Sequence, residues 1–172
     1  MGYGKIGRTQ LSRDLPVELI ADRDMTPELL LEVATGLDLV ESSDLALKAC
    51  RQAIAADPLL GQPYYALGYY ASRCGYPPNY FVSLARKAIS LEPRNTTFRV
   101  GLASLLLRLS RQAEAYAVIK DLSEQQIECI DCNCCIKRII DVYEHAGDSL
   151  RSTLCRERHA VLNVTTDGAV QD

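Results

Sequence analysis

The sequence predicts an all-α protein, an α-solenoid of stacked helix–turn–helix units. The main observation is a repeat interval of about 34 residues, the length of one such unit. Small side chains recur at this interval in two series: Ala34, Gly68 and Ala103, and Ala46 and Ala115, between which Phe81 departs from the pattern. Pro58 and Pro93 are separated by the same interval. Because a single helix pair cannot bury its apolar face alone, repeated pairs are expected to stack on one another.

Composition excludes several functional classes. The chain has 172 residues, 48% of them hydrophobic, and a net charge of −3, so no uncompensated basic surface for nucleic acid is implied. Two histidines, no tryptophan and no hydrolase, kinase or nucleotide-binding motif predict a protein that is not an enzyme. Without a secretory signal or an apolar run of about 18 residues, we expect a cytoplasmic protein that does not bind membranes.

The helices follow from local start and stop signals. Residues 1–26 lack a helical period and are expected to form an N-terminal arm. Thr26 can cap the first helix and Pro27 suits its first position, whereas Pro58 cannot continue the second helix. The three predicted units cover 27–60, 61–95 and 96–125. Their predicted helices are 27–39 and 43–56, 61–74 and 79–91, and 96–109 and 112–122.

The spacing of small residues and prolines resembles the tetratricopeptide repeat family. The pattern Ala46-x6-Ala53-x4-Pro58 carries the resemblance in the first unit, and Leu67-Gly68 with Ala85-x2-Ala88-x4-Pro93 carries it in the second. Over 27–125, the resemblance implies that the first helices of successive units line a concave groove that takes a peptide. The residues it places in the groove are Gln62, Tyr65, Tyr69, Arg73, Val100, Ser104 and Arg108.

The chemistry of these residues suits a protein partner. Tyr65 and Tyr69 are four residues apart and therefore share a helical face. Tyrosine offers apolar area with a polar tip, and Arg73 and Arg108 can each hold a carboxylate. We therefore predict a non-enzymatic scaffold or adaptor that binds a protein or peptide. The alternative is that the tyrosines pack between helices.

A degenerate fourth helix pair is predicted over 126–161. Ile136, Ile139 and Tyr143 lie on one helical face, Gly147 ends that helix, and Asp148 caps the next helix, which runs to about residue 160. Residues 162–172 are predicted to form a disordered tail.

This fourth pair carries most of the seven cysteines. Cys129 and Cys132 have the local spacing of zinc ligands, and Cys155 and His159 are the second pair that a tetrahedral site needs. The predicted zinc ligands are therefore Cys129, Cys132, Cys155 and His159. A redox-sensitive cluster that includes Cys134 and Cys135, and thiols that only fill the core, are open alternatives.

Two further functional hypotheses compete with the scaffold. One is a zinc-binding or redox-sensitive protein that uses the cluster Cys129, Cys132, Cys134 and Cys135. The other is a protein similar to bacterial secretion chaperones, which have three such repeats after an N-terminal arm.

Overall fold

The computed structural model describes residues 25–167, and within this range the chain is helical and contains no strand. The predicted arm, apart from its last two residues, and residues 168–172 of the predicted tail lie outside it. The helices are α1 (Pro27–Leu39), α2 (Ser43–Ala56), α3 (Gly61–Arg73), α4 (Pro78–Leu91), α5 (Thr96–Arg108), α6 (Gln112–Ile119), α7 (Glu124–Glu128), α8 (Asn133–His145) and α9 (Ser149–Asp167).

The predicted fold class is confirmed. The chain divides into two compact units, one ending at Pro93 and the other beginning at Arg94. In the first unit, α1 packs on α2 and α3 on α4, with α2 also against α3. In the second unit, α5 packs on both α6 and α8, and α9 packs on α7 and α8. Helix pairing is therefore the rule within each unit.

The turn inside each helix pair has one common geometry. The second residue after the first helix adopts a positive φ, and the amide of the next residue donates to a carbonyl five positions back, as in a Schellman motif. The left-handed residues are Glu41, Gly75, Ser110 and Gly147, with φ of 58°, 80°, 57° and 74°. The amide donors Ser42, Tyr76, Arg111 and Asp148 lie 2.9 to 3.0 Å from their acceptors. The degenerate fourth pair thus keeps the same turn.

Phe81 departs from the small-residue pattern, and Gly68 compensates for it. A Cβ atom built at Gly68 would lie 2.4 Å from Cδ2 of Phe81. The first unit has Ala34 and Ala46 at the corresponding positions, both fully buried. In the second pair, a glycine and a partly exposed ring therefore meet where two alanines meet in the first.

Each unit has its own core. In the first unit, Ala34, Ala46, Cys50 and Leu67 are among the buried residues of one hydrophobic cluster. The largest fully buried side chain of the second unit is Tyr143, whose hydroxyl donates to the carbonyl of Ile119 at 2.8 Å. This bond satisfies the polar end of a ring that otherwise lies in the core.

Two predicted helix ends were wrong, and one short helix was not predicted. Helix α6 ends at Ile119, three residues before its predicted end, and a separate helix α7 follows. Ser123 starts α7 with a capping box, because its side chain accepts from the Gln126 amide and the Gln126 side chain accepts from the Ser123 amide. Helix α9 continues to Asp167, past the predicted end near 160, because no glycine or proline interrupts it before Gly168.

Candidate functional site

Helix α3 carries an exposed aromatic side chain of the first unit, Tyr69. Tyr69 is 43% exposed, although it packs edge-on against the buried ring of Tyr70 with centroids 5.3 Å apart. Gln62 and Arg73 are exposed on the same helix. A tyrosine that is held by a neighbouring ring and still exposes much of its surface can contact a partner at little cost in side-chain entropy.

Arg73 is held by an ion pair. Its Nε lies 3.0 Å from Oδ1 of Asp38 at the end of α1, and Asp38 Oδ1 also accepts from the Ser43 hydroxyl at 3.2 Å. A hydrogen bond with Tyr69 and the charge of Asp38 raise the pKa of Arg73. The guanidinium is therefore fixed beside Tyr69, and we refer to Asp38, Tyr69 and Arg73 as the α1–α3 face.

Tyr65 is only half-buried, and its ring packs edge-on against Phe81 with centroids 5.4 Å apart. The sequence left open whether this tyrosine lines a groove or packs between helices. Part of the ring packs between helices, and part of it is accessible. Tyr69 offers the more open surface of the two.

The predicted groove residues of the second unit have two different environments. Val100 and Ser104 are 3% and 4% exposed, whereas Arg108 is exposed at the end of α5. Helix α5 packs against both α6 and α8, so much of its circumference is covered. The prediction that Val100 and Ser104 lie on an open surface was wrong. The family resemblance placed them on the groove side of α5, but it does not say how many neighbours this helix has.

Three cysteine thiols meet at the N-terminus of α8. The sulfur atoms of Cys132 and Cys134 are 2.8 Å apart, and those of Cys134 and Cys135 are 4.0 Å apart. All three lie within 4.8 Å of one another, and we call them the three-thiol cluster. Cys132 is the N-cap of α8, since its sulfur accepts from the Cys135 amide at 3.3 Å.

The pKa values of the Cys132 and Cys135 thiols are shifted in opposite directions. Burial opposes ionisation of Cys132, but hydrogen bonds from Cys134 and Cys135 outweigh it and lower the pKa of the Cys132 thiol. Burial, followed by the neighbouring Cys132, raises the pKa of Cys135 to about 12. The Cys132 thiol therefore ionises more easily than the Cys135 thiol.

The four predicted zinc ligands do not come together. Among residues 25–163, only the three-thiol cluster brings at least three potential ligand atoms within 4.8 Å of one another, and of the four it contains only Cys132. Cys155 is fully buried, and burial raises its pKa to about 12. Cys129 is exposed, and the His159 ring lies 3.4 Å from the Asn163 amide nitrogen. The spacing of Cys155 and His159 resembled a ligand pair, but Cys155 packs in the core.

Sequence reasoning also missed a cavity between α7 and α9, with a volume of about 390 Å³. Its lining is Glu124, Ile127, Glu128, Leu154, Glu157, Arg158 and Val161. The cavity depends on α7, which the capping-box pattern at Ser123 and Gln126 could have revealed.

The fold belongs to the class of all-α proteins built from antiparallel helix pairs. No protein-family model matches the chain, and no curated protein matches it. The chain is similar to three solved structures of MamA, all of which are 17% identical or less, so the likeness shows the fold alone. No helix within residues 25–167 is long and apolar enough to cross a membrane.

The three comparisons cover most of each chain. A structure described as "Crystal structure of MamA" has a TM-score of 0.59 at 13% identity and covers 99% of both chains. A second, "Crystal structure of MamA protein", has a TM-score of 0.56 at 13% identity over 85% of this chain and 78% of that one. A third, "MamA MSR-1 C2", has a TM-score of 0.53 at 17% identity over 92% of each.

Proposed function

We propose that the protein is an interaction module that binds a protein segment on the α1–α3 face. The observation that carries this proposal is the exposed Tyr69 ring beside an arginine that Asp38 holds in place. The module acts as a scaffold or adaptor without catalysis of its own. The helical-repeat fold supports it, because such folds present extended faces to partners.

The chemistry of the face specifies the segment that would bind. Tyr69 offers an apolar ring, and Leu39 and Val40, which directly follow Asp38, are 82% and 65% exposed. Arg73 adds a guanidinium whose side chain is 45% exposed and which can donate to a second carboxylate besides that of Asp38. The best occupant is a segment that places an apolar side chain next to an aspartate or glutamate.

Affinity purification with variants tests the proposal. Tyr69→Ala and Arg73→Ala are compared with wild type and with the matched control Leu59→Ala. Leu59 is 74% exposed and lies just before the opposite end of α3, which is about 18 Å long. A partner of the α1–α3 face is retained by wild type and by Leu59→Ala and lost from the other two variants. If every co-purified protein is retained equally by all four, the proposal is wrong.

A further inference from the structure

We propose that the three-thiol cluster, Cys132, Cys134 and Cys135, is a binding site for one Cu(I) ion. The site is independent of the α1–α3 face and of the scaffold function. It replaces the zinc ligand set expected from the sequence with three sulfurs that the fold brings together.

The geometry of the cluster suits a single ion. Metal–thiolate bonds are about 2.3 Å long, which places two sulfurs on the same ion roughly 3.8 to 4.0 Å apart. Cys134 and Cys135 already have this separation, at 4.0 Å. Cys132 and Cys134 are closer, at 2.8 Å, and small rotations of two exposed or half-buried side chains would open that distance. One ion can therefore be reached by all three sulfurs without moving the helix.

The ligand set favours Cu(I) over zinc. Structural zinc takes four protein ligands in tetrahedral geometry. Among residues 25–163, no fourth histidine, cysteine, aspartate or glutamate ligand atom joins the three sulfurs within 4.8 Å. Cu(I) is a soft ion that thiolates select, and it is satisfied by three of them in a plane.

The surroundings favour thiolates. The cluster lies at the N-terminus of the 13-residue helix α8, where the helix dipole stabilises negative charge. The Cys135 amide already donates to the Cys132 sulfur at 3.3 Å. A bound cation would supply the positive charge that lets the remaining protons leave, so binding is expected to release protons and to weaken as the pH falls.

The exposure of the cluster indicates what kind of site it is. Cys134 is exposed, and Cys132 and Cys135 are only half-buried, so an ion at this site would be open to solvent. A structural metal is normally enclosed, whereas an open thiolate site can take up and release its ion. Cys50 and Cys155, in contrast, are fully buried.

Competition for Cu(I) tests the proposal on the reduced full-length chain under nitrogen. Bicinchoninate, a coloured Cu(I) chelator, reports how much ion the protein removes. Wild type is expected to take one Cu(I) per chain, and the triple variant Cys132→Ser, Cys134→Ser and Cys135→Ser is expected to take none. The control Cys74→Ser with Cys129→Ser removes the two other exposed cysteines and should still take one.

Folding of the variants can be checked separately. Serine is a preferred N-cap, so Cys132→Ser keeps the cap of α8, and far-UV circular dichroism should be unchanged.

Loss of even an outer-shell partner weakens metal binding by about 10-fold to 100-fold, so each single cysteine variant should weaken uptake by more than about tenfold. Equal uptake by wild type and the triple variant would overturn the proposal, as would loss of uptake in the Cys74 and Cys129 control. Preferential loading with zinc from an equal mixture of the two metals would also overturn it.

Discussion

The contact between Gly68 and Phe81 makes a sharp prediction about stability. Gly68→Ala should destabilise the chain, although alanine at a helix interior normally stabilises it by about 1 kcal/mol relative to glycine. The new Cβ would lie 2.4, 3.2 and 3.3 Å from three ring atoms of Phe81, where ordinary contacts are about 3.5 to 4.0 Å. The ring must therefore retreat by about 1 Å against its neighbour Tyr65.

The magnitude follows from two opposed effects. Overpacking of this kind costs roughly 1 to 3 kcal/mol, and the helix propensity of alanine offsets about 1 kcal/mol of it. A net loss of up to about 2 kcal/mol is expected for Gly68→Ala. In a Phe81→Ala background the ring is gone, so the same substitution should stabilise by about 1 kcal/mol. The sign of the effect therefore reverses between the two backgrounds.

Urea unfolding followed by far-UV circular dichroism measures this double-mutant cycle. Gly36→Ala is the matched control, because Gly36 is an exposed glycine within α1 whose added Cβ would meet nothing within 4 Å. Gly36→Ala should stabilise the wild-type chain and the Phe81→Ala chain equally, by up to about 1 kcal/mol. If Gly68→Ala stabilises the wild-type chain as much as it stabilises the Phe81→Ala chain, the compensation argument is refuted.

Two further predictions concern the second unit. Tyr143→Phe removes the hydroxyl that donates to the Ile119 carbonyl, and it should lower the free energy of unfolding in urea by about 1 to 2 kcal/mol. An unchanged unfolding midpoint would contradict the role of that bond. Burial opposes ionisation of Asp148, but hydrogen bonds from Arg151 and Tyr116 outweigh it and lower the pKa of this carboxyl below its ordinary value. The Asp148 carboxylate therefore adds to the free energy of unfolding at pH 7, and this stabilisation is lost as the pH falls through the folded pKa. Asp148→Asn should therefore cost about 1 kcal/mol at pH 7, and this cost should shrink as the pH falls below the ordinary carboxyl value of 3.8 toward the lower folded pKa. A pH-independent difference would refute the assignment.

The sequence predicted the helix pairs well because their signals are local. Thr26 caps α1 through a bond from the Leu29 amide, and Asp148 caps α9 through a bond from the Arg151 amide, as their positions suggested. Gly147 ends the preceding helix with the left-handed conformation that glycine favours. Each of these features depends on residues within one turn of one another.

The features that sequence reasoning missed depend on contacts between helices. Phe81 looked like a departure from the repeat, and only its packing against Gly68 shows that the glycine makes room for the ring. The family resemblance placed Ser104 in an open groove, but it is buried on a helix with two neighbours. Cys155 had the spacing of a ligand to His159 but lies in the core. Periodicity identifies a helical face, and it does not identify what covers that face.

The central claim, that the α1–α3 face binds a protein segment, is tested most directly by the affinity of a selected peptide. Peptides are selected from a random display library on wild-type protein, and their dissociation constants are measured by fluorescence anisotropy for each variant. Selected peptides should place an apolar residue next to aspartate or glutamate. They should bind Tyr69→Ala at least about tenfold more weakly, because a tyrosine hot spot contributes about 2 kcal/mol or more and tenfold corresponds to about 1.4 kcal/mol. Binding to Leu59→Ala should match wild type. Equal affinity for wild type, Tyr69→Ala and Arg73→Ala would contradict the account.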